Sequence, residues 1–137
     1  MHDGSIVSFR EDEGIAVATV EAASVLDALN VDQFGKEVQK YVRGNRGIHL
    51  LLDFQKVEYL SSAVLTELLR IKKAIAEMQG TMRLCALTKE IRKVFEITNL
   101  DQIFVIDHNV ETALPRYRRA LQVAAQEETW KQLHEES

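Results

Sequence analysis

Two rhythms of apolar and polar positions divide the chain. Apolar residues alternate with polar ones weakly over Ser5 to Phe9 and more clearly over Gly14 to Val20, with the acidic turn Glu11-Asp12-Glu13-Gly14 between them. This predicts a β-hairpin. The small-residue stretch Ala22-Ala23-Ser24 and the segment VLDALN follow. The spacing then widens: Val31, Phe34, Val38, Tyr41 and Val42 form the buried stripe of a helix, with Asn30 and Gln33 placed as a capping box and Gly44 and Gly47 closing it.

The next stretch organises the rest. Ile48 to Leu52 is apolar except for His49, too short for a buried helix and too apolar for a strand with one wet face, so it predicts an interior parallel strand. After Asp53 a polar connection carries Val57 and Tyr59 to the pair Ser61-Ser62. From there Val64, Leu68, Ile71, Ile75 and Met78 mark one helical face, and Thr66, Glu67, Arg70, Lys73 and Glu77 are expected to lie away from it. Strand and helix alternate again in the second half. Met82 to Leu87 predicts a strand, and Thr88 an N-cap before Ile91, Val94 and Phe95. Asn99-Leu100 ends that helix, Ile103 to Ile106 predicts a short strand, and Asn109 a further cap.

Pro115 is expected to break or kink the last helix, because an interior proline loses a backbone bond and collides with the preceding turn at a cost of about 3 kcal/mol. Beyond it Arg116, Arg118, Arg119 and Lys131 balance Glu127, Glu128, Glu135 and Glu136, while Tyr117, Leu121 and Ala124 continue an apolar line that fades before Trp130 and Leu133. Such a stripe docks on its own domain or pairs with another copy. The predicted order, β-β-α-β-α-β-α-β-α, gives an α/β domain with a mixed central sheet of about five strands packed by helices, over residues 1–114, and a C-terminal helical extension over 115–137.

Composition narrows the function classes. A length of 137 residues fits one domain, and a net charge of −4 argues against non-specific nucleic-acid binding. No apolar run approaches the roughly 20 residues of a membrane helix. The single cysteine, Cys85, has no partner in the chain and no leader-like segment opens it, so a cytoplasmic location is expected.

Catalytic patterns are missing. His2, His49, His108 and His134 are isolated and lack metal-site spacing, Cys85 lies in an apolar strand, and Asp107-His108 reads as a capping or solvent-facing pair. Around Ser61-Ser62 there is no G-x-S-x-G elbow and no nearby histidine to act as base, and no glycine-rich phosphate loop or other cofactor pattern occurs. An enzyme is not expected. The serine pair at a loop-to-helix junction remains, and its simplest role is an N-cap contributing about 1 kcal/mol.

In Asp53 and in Val57-Glu58-Tyr59-Leu60-Ser61-Ser62-Ala63-Val64-Leu65 the chain resembles the STAS domain, the family of anti-sigma-factor antagonists and of cytoplasmic domains of sulfate transporters. The antagonists carry V-x-[FY]-[ILM]-D-S-[ST]-G-L after a strand ending in Asp or Asn. Ser24-Val25-Leu26-Asp27 matches their upstream G-x-L-D in part, and Leu84-Cys85-Ala86-Leu87-Thr88-Lys89 through Phe95 answers a downstream strand and basic helix. The resemblance covers about residues 5 to 114.

It implies that Ser62 is the phosphoacceptor, with Ser61 as an alternative acceptor, and that Asp27, Ser61, Ser62, Ala63 and Val64 form a partner-binding surface. The implied partners are a serine kinase acting as anti-sigma factor, and a phosphatase. Two departures stand out: Ser61 occupies the family's aspartate position and Val64 the position of the glycine two places after the phosphoacceptor. They support an alternative, a STAS scaffold or oligomerisation module without the switch, joined into a homodimer through the C-terminal helix.

Overall fold

The computed structural model describes residues 4–21 and 25–135; His2, Ala22, Ala23, Ser24 and Glu136 lie outside them. Strands β1 (Val7–Asp12) and β2 (Ile15–Val20) form the expected hairpin. Its loop is tighter than the acidic run suggests. Only Glu13 and Gly14 connect the strands, both at positive φ (46° and 88°), as a two-residue turn matching strand twist requires.

After the short strand β3 (Val25–Leu26) come α1 (Val31–Arg43), β4 (His49–Asp53), a second short strand β5 (Tyr59–Leu60) and α2 (Ser62–Glu77). Then follow β6 (Thr81–Cys85), α3 (Lys89–Ile97), a single 3-10 turn over Leu100–Gln102, β7 (Ile106–Asp107) and α4 (Val110–Glu135). The main sheet has the order β1-β2-β4-β6-β7, antiparallel at β1–β2 and parallel elsewhere, and β3 pairs with β5 in a separate two-stranded ladder.

The apolar run of β4 is explained by the two faces it serves. Leu50 and Leu52 face a core built with Phe34, Val38, Val64, Leu68, Ile71 and Phe95, so α1, α2 and α3 cover that side. Leu51 faces the other way, into a smaller core with Ile15, Val17, Cys85, Ala113, Leu114 and Tyr117, where the first half of α4 covers the sheet. A side-chain period of two with both faces covered leaves no polar position in the strand interior.

Several expectations are corrected. Asn30 stands at the N-cap of α1 without capping it: its Oδ1 accepts from the Asp27 N–H (2.9 Å) and its Nδ2 donates to the Val25 carbonyl (2.8 Å). Gln33 turns to the Gly4 carbonyl and to Glu37, so no capping box forms. β6 stops at Cys85, short of Leu87, where Ala86 takes a positive φ of 62°. The last strand is Ile106–Asp107 instead of residues 103–106, because the 3-10 turn runs into a loop in which only Phe104 is buried.

α4 runs unbroken through Pro115. The proline is the sixth residue of the helix and exposed, and Glu111, whose carbonyl it leaves without an amide partner, is exposed as well. Water can take up the lost bond. Glu67, expected on the wet face of α2, is 7% exposed.

Candidate functional site

The β3–β5 ladder holds the serine pair in place. Val25 pairs with Tyr59 and Leu26 with Leu60, and the Ser61 N–H continues the ladder by donating to the Leu26 carbonyl (2.9 Å). That register sets Asp27 beside Ser61. Asp27 folds the following residues into a turn: its Oδ1 accepts from the Leu29 N–H (2.9 Å), and its carbonyl accepts from Asn30 and Val31. The turn exposes Leu29 almost completely, at 94%, next to the half-exposed Val25 and the exposed Tyr59.

Ser61 is the N-cap of α2 by backbone, with φ −93° and ψ 170°, yet its hydroxyl caps nothing and has no hydrogen-bond partner among the described residues. Ser62 is the first helical residue and is exposed, at the end of α2 where the first N–H groups have no carbonyl a full turn before them in the helix. The first turn of α2 carries no acidic residue, so the helix itself supplies no negative charge at its positive end. Neither serine fills the simple N-cap role. Ala63 is half-buried, whereas Val64 is fully buried against Leu50 and Leu52. Its side chain anchors the helix start; Ser62 is exposed, Asp27 and Ala63 are partly exposed, and the Ser61 hydroxyl is itself buried.

The remaining chemical candidates are structural. Asp53 closes the loop after β4, accepting from Thr19 Oγ1 (3.3 Å) and the Gln55 N–H (2.9 Å). Burial, and then the charges of Asp53, Asp107 and Glu111, push the Cys85 thiol up to about 12, so it holds its proton. Asp107 is buried and ion-paired with Arg83 and Arg116 (3.6 Å each), while His108 faces solvent. Thr88 caps α3 through the Ile91 N–H, and Asn109 caps α4 through the Thr112 N–H. Among the described residues no His, Cys, Asp or Glu cluster is arranged to hold a metal, and no helix is long and apolar enough to cross a membrane.

Sequence reasoning missed two features. The exposed apolar rim of Val25, Leu29 and Tyr59 depends on a ladder two residues long, which no periodicity marks. The buried Glu67 was signalled: it lies three residues after Val64 and four before Ile71, within the apolar phase of α2.

The model of the STAS domain family matches residues 7–113, which is most of the chain. The chain belongs to the STAS family. It is 31% identical over 110 residues to BtrV of Bordetella bronchiseptica, whose name carries an inferred role as an anti-sigma factor antagonist; the match covers 80% of this chain and 91% of BtrV. Among solved structures it is similar to an anti-sigma-factor antagonist (STAS) domain protein from Planctomyces limnophilus. There the TM-score is 0.76 at 22% identity, covering 82% of this chain and 97% of that one. It is also similar to the Bacillus cell fate determinant SpoIIAA in its phosphorylated form, with a TM-score of 0.60 at 18% identity, covering 80% of this chain and 97% of that one. These structural likenesses extend the STAS fold to the mixed five-stranded sheet and the helices around it.

Proposed function

We propose that this STAS protein is a cytoplasmic regulator of the anti-sigma-factor antagonist kind. In this reading it binds a serine kinase that acts as anti-sigma factor, through the surface around Ser62, and phosphorylation of Ser62 releases it until a phosphatase restores the hydroxyl. The carrying observation is the exposed Ser62 at the N-terminus of α2, directly after the β3–β5 ladder on which Val25 and Tyr59 are exposed and which leads into the turn that exposes Leu29.

The rim offers apolar contact area without dismantling the core. A phosphate added at Ser62 brings −1.5 to −2 charges, which the helix N-terminus can hold but a packed apolar interface cannot. Release would then follow from the altered surface, with the fold kept. That SpoIIAA exists in a phosphorylated form is consistent with this logic. The chemistry of transfer belongs to the kinase, and this chain supplies only the hydroxyl.

A second reading is favoured by two residues. Ser61 in place of the family's aspartate removes a carboxylate beside the acceptor, and Val64 in place of glycine fills the helix start with a buried side chain. A chain so altered would serve as a scaffold without the switch. Intact-mass measurement of the chain purified from its host, and after incubation with a kinase that co-purifies with it, separates the two. A phosphate on the native chain that is absent from Ser62→Ala supports the switch, and no phosphate on either leaves the scaffold.

A further inference from the structure

The first half of α4 lies on the sheet, but from residue 122 to residue 135 every side chain is exposed, a projection of about 21 Å at 1.5 Å per residue. A helical segment of that length without tertiary support is marginal in water. Yet this one carries Val123, Trp130 and Leu133, exposed by 46%, 62% and 60%. Val123 and Trp130 share one face with Ala120, set away from Leu114, Tyr117 and Leu121, which point at the sheet. The same face holds Arg116 and Arg119 near the domain and Glu127 further out, so its charge changes sign along the helix axis. Neither Arg119 nor Glu127 has an ion-pair partner among the described residues.

We infer that this face of α4 is a homodimer interface, covered by α4 of a second copy running antiparallel about a two-fold axis at Val123. A face whose charge reverses about its midpoint is complementary to itself only when the partner runs the other way. With Val123 opposite its own copy, Arg119 meets Glu127 and Arg116, which is ion-paired with Asp107 in its own chain, comes opposite Trp130, and every contact is made twice. A parallel pair would set Arg119 against Arg119 and Glu127 against Glu127. The inference is independent of the role assigned to Ser62.

Sedimentation of the full chain over a concentration series tests it. The expected result is a reversible dimer, weakened on the order of tenfold or more by Arg119→Glu or Glu127→Arg alone and restored by the two together. Within one chain these residues are eight positions and about 12 Å apart along the helix, so restoration cannot come from an internal pair. Val123→Cys, with oxidised glutathione as oxidant, should give a disulfide-linked dimer, and Glu128→Cys on the opposite face should not; Cys85 is fully buried and stays silent. A monomer at every concentration, a dimer indifferent to both reversals, a double variant as weak as the singles, or crosslinking at 128 in place of 123 would each overturn the inference.

Discussion

Glu67 of α2 stands over Gly35 of α1 so closely that a Cβ at residue 35 would come within 2.5 Å of the Glu67 carboxylate carbon. Gln39 Nε2 holds that carboxylate by donating to Oε2 (2.7 Å), and Arg70 lies 3.7 Å from Oε1. The missing side chain of Gly35 is therefore what admits an acid to a helix crossing. Gly35→Ala should bring about 1 kcal/mol of helix propensity while pushing Glu67 out of its bond with Gln39, so that stability in urea does not rise. In a Glu67→Ala background the same substitution should stabilise by the full amount, about 1 kcal/mol. Equal gains in both backgrounds would mean that the crossing tolerates the methyl group and that Glu67 is not fixed.

Leu68 is fully buried where α2 meets β4. Its replacement by alanine should cost about 2 to 5 kcal/mol, the range for truncated buried leucines. Chemical denaturation with an unchanged m-value would register this as a loss of native stability.

Alkaline and acid limits follow from three side chains on the α4 side of the sheet. Burial raises the Cys85 thiol from 9.0 to about 12, and burial likewise raises the Tyr117 phenol from 10.0 to about 12 against the opposing effects of Thr81 and Arg83. Both keep their protons in the native chain while the unfolded chain loses them, so stability should fall as pH rises from about 9 towards 12. Burial lowers His49 from 6.5, so the unfolded chain takes up a proton more readily there, and stability should also fall as pH drops through that region. Urea midpoints against pH should show a plateau between these limits, and Cys85→Ala should flatten the alkaline limb.

At Ser62 the switch and the scaffold predict opposite patterns. For a switch, Ser62→Asp abolishes partner binding with melting nearly unchanged, because a negative charge suits the first turn of a helix, and Ser62→Ala keeps binding but escapes control. For a scaffold, binding is indifferent to both. Since neither serine hydroxyl caps α2 in the structure, Ser61→Ala should cost much less than the usual 1 kcal/mol of a lost N-cap. Calorimetry with a pull-down of the cognate kinase reads both quantities on the same variants.

The architecture was legible wherever burial imposes a long period. Leu50-Leu51-Leu52 announced a strand covered on both faces, and Val64, Leu68, Ile71 and Ile75 the helix against it. Reading failed where local chemistry had competing uses. Asn30 and Gln33 have the residue types of a capping box, but the Asp27 turn and the Gly4 carbonyl claimed their side chains. The apolar run Ile103 to Ile106 resembled a strand, although only its last residue pairs. For the candidate site, the place of Ser62 at the start of α2 was visible, whereas Leu29 became part of the picture only once the β3–β5 ladder brought its turn alongside.

The division of labour between the two sides of the sheet has a consequence for stoichiometry. α2 packs on one face and α4 on the other, so in the proposed dimer the α4 contact and the surface around Ser62 would be separate. Two chains joined through α4 would present two acceptor surfaces on one particle. A partner that is itself paired could engage both, gaining from the high local concentration of the second site, and that gain would vanish once a single hydroxyl was modified. Release would then respond to the first phosphate more steeply than the affinity of one surface alone allows.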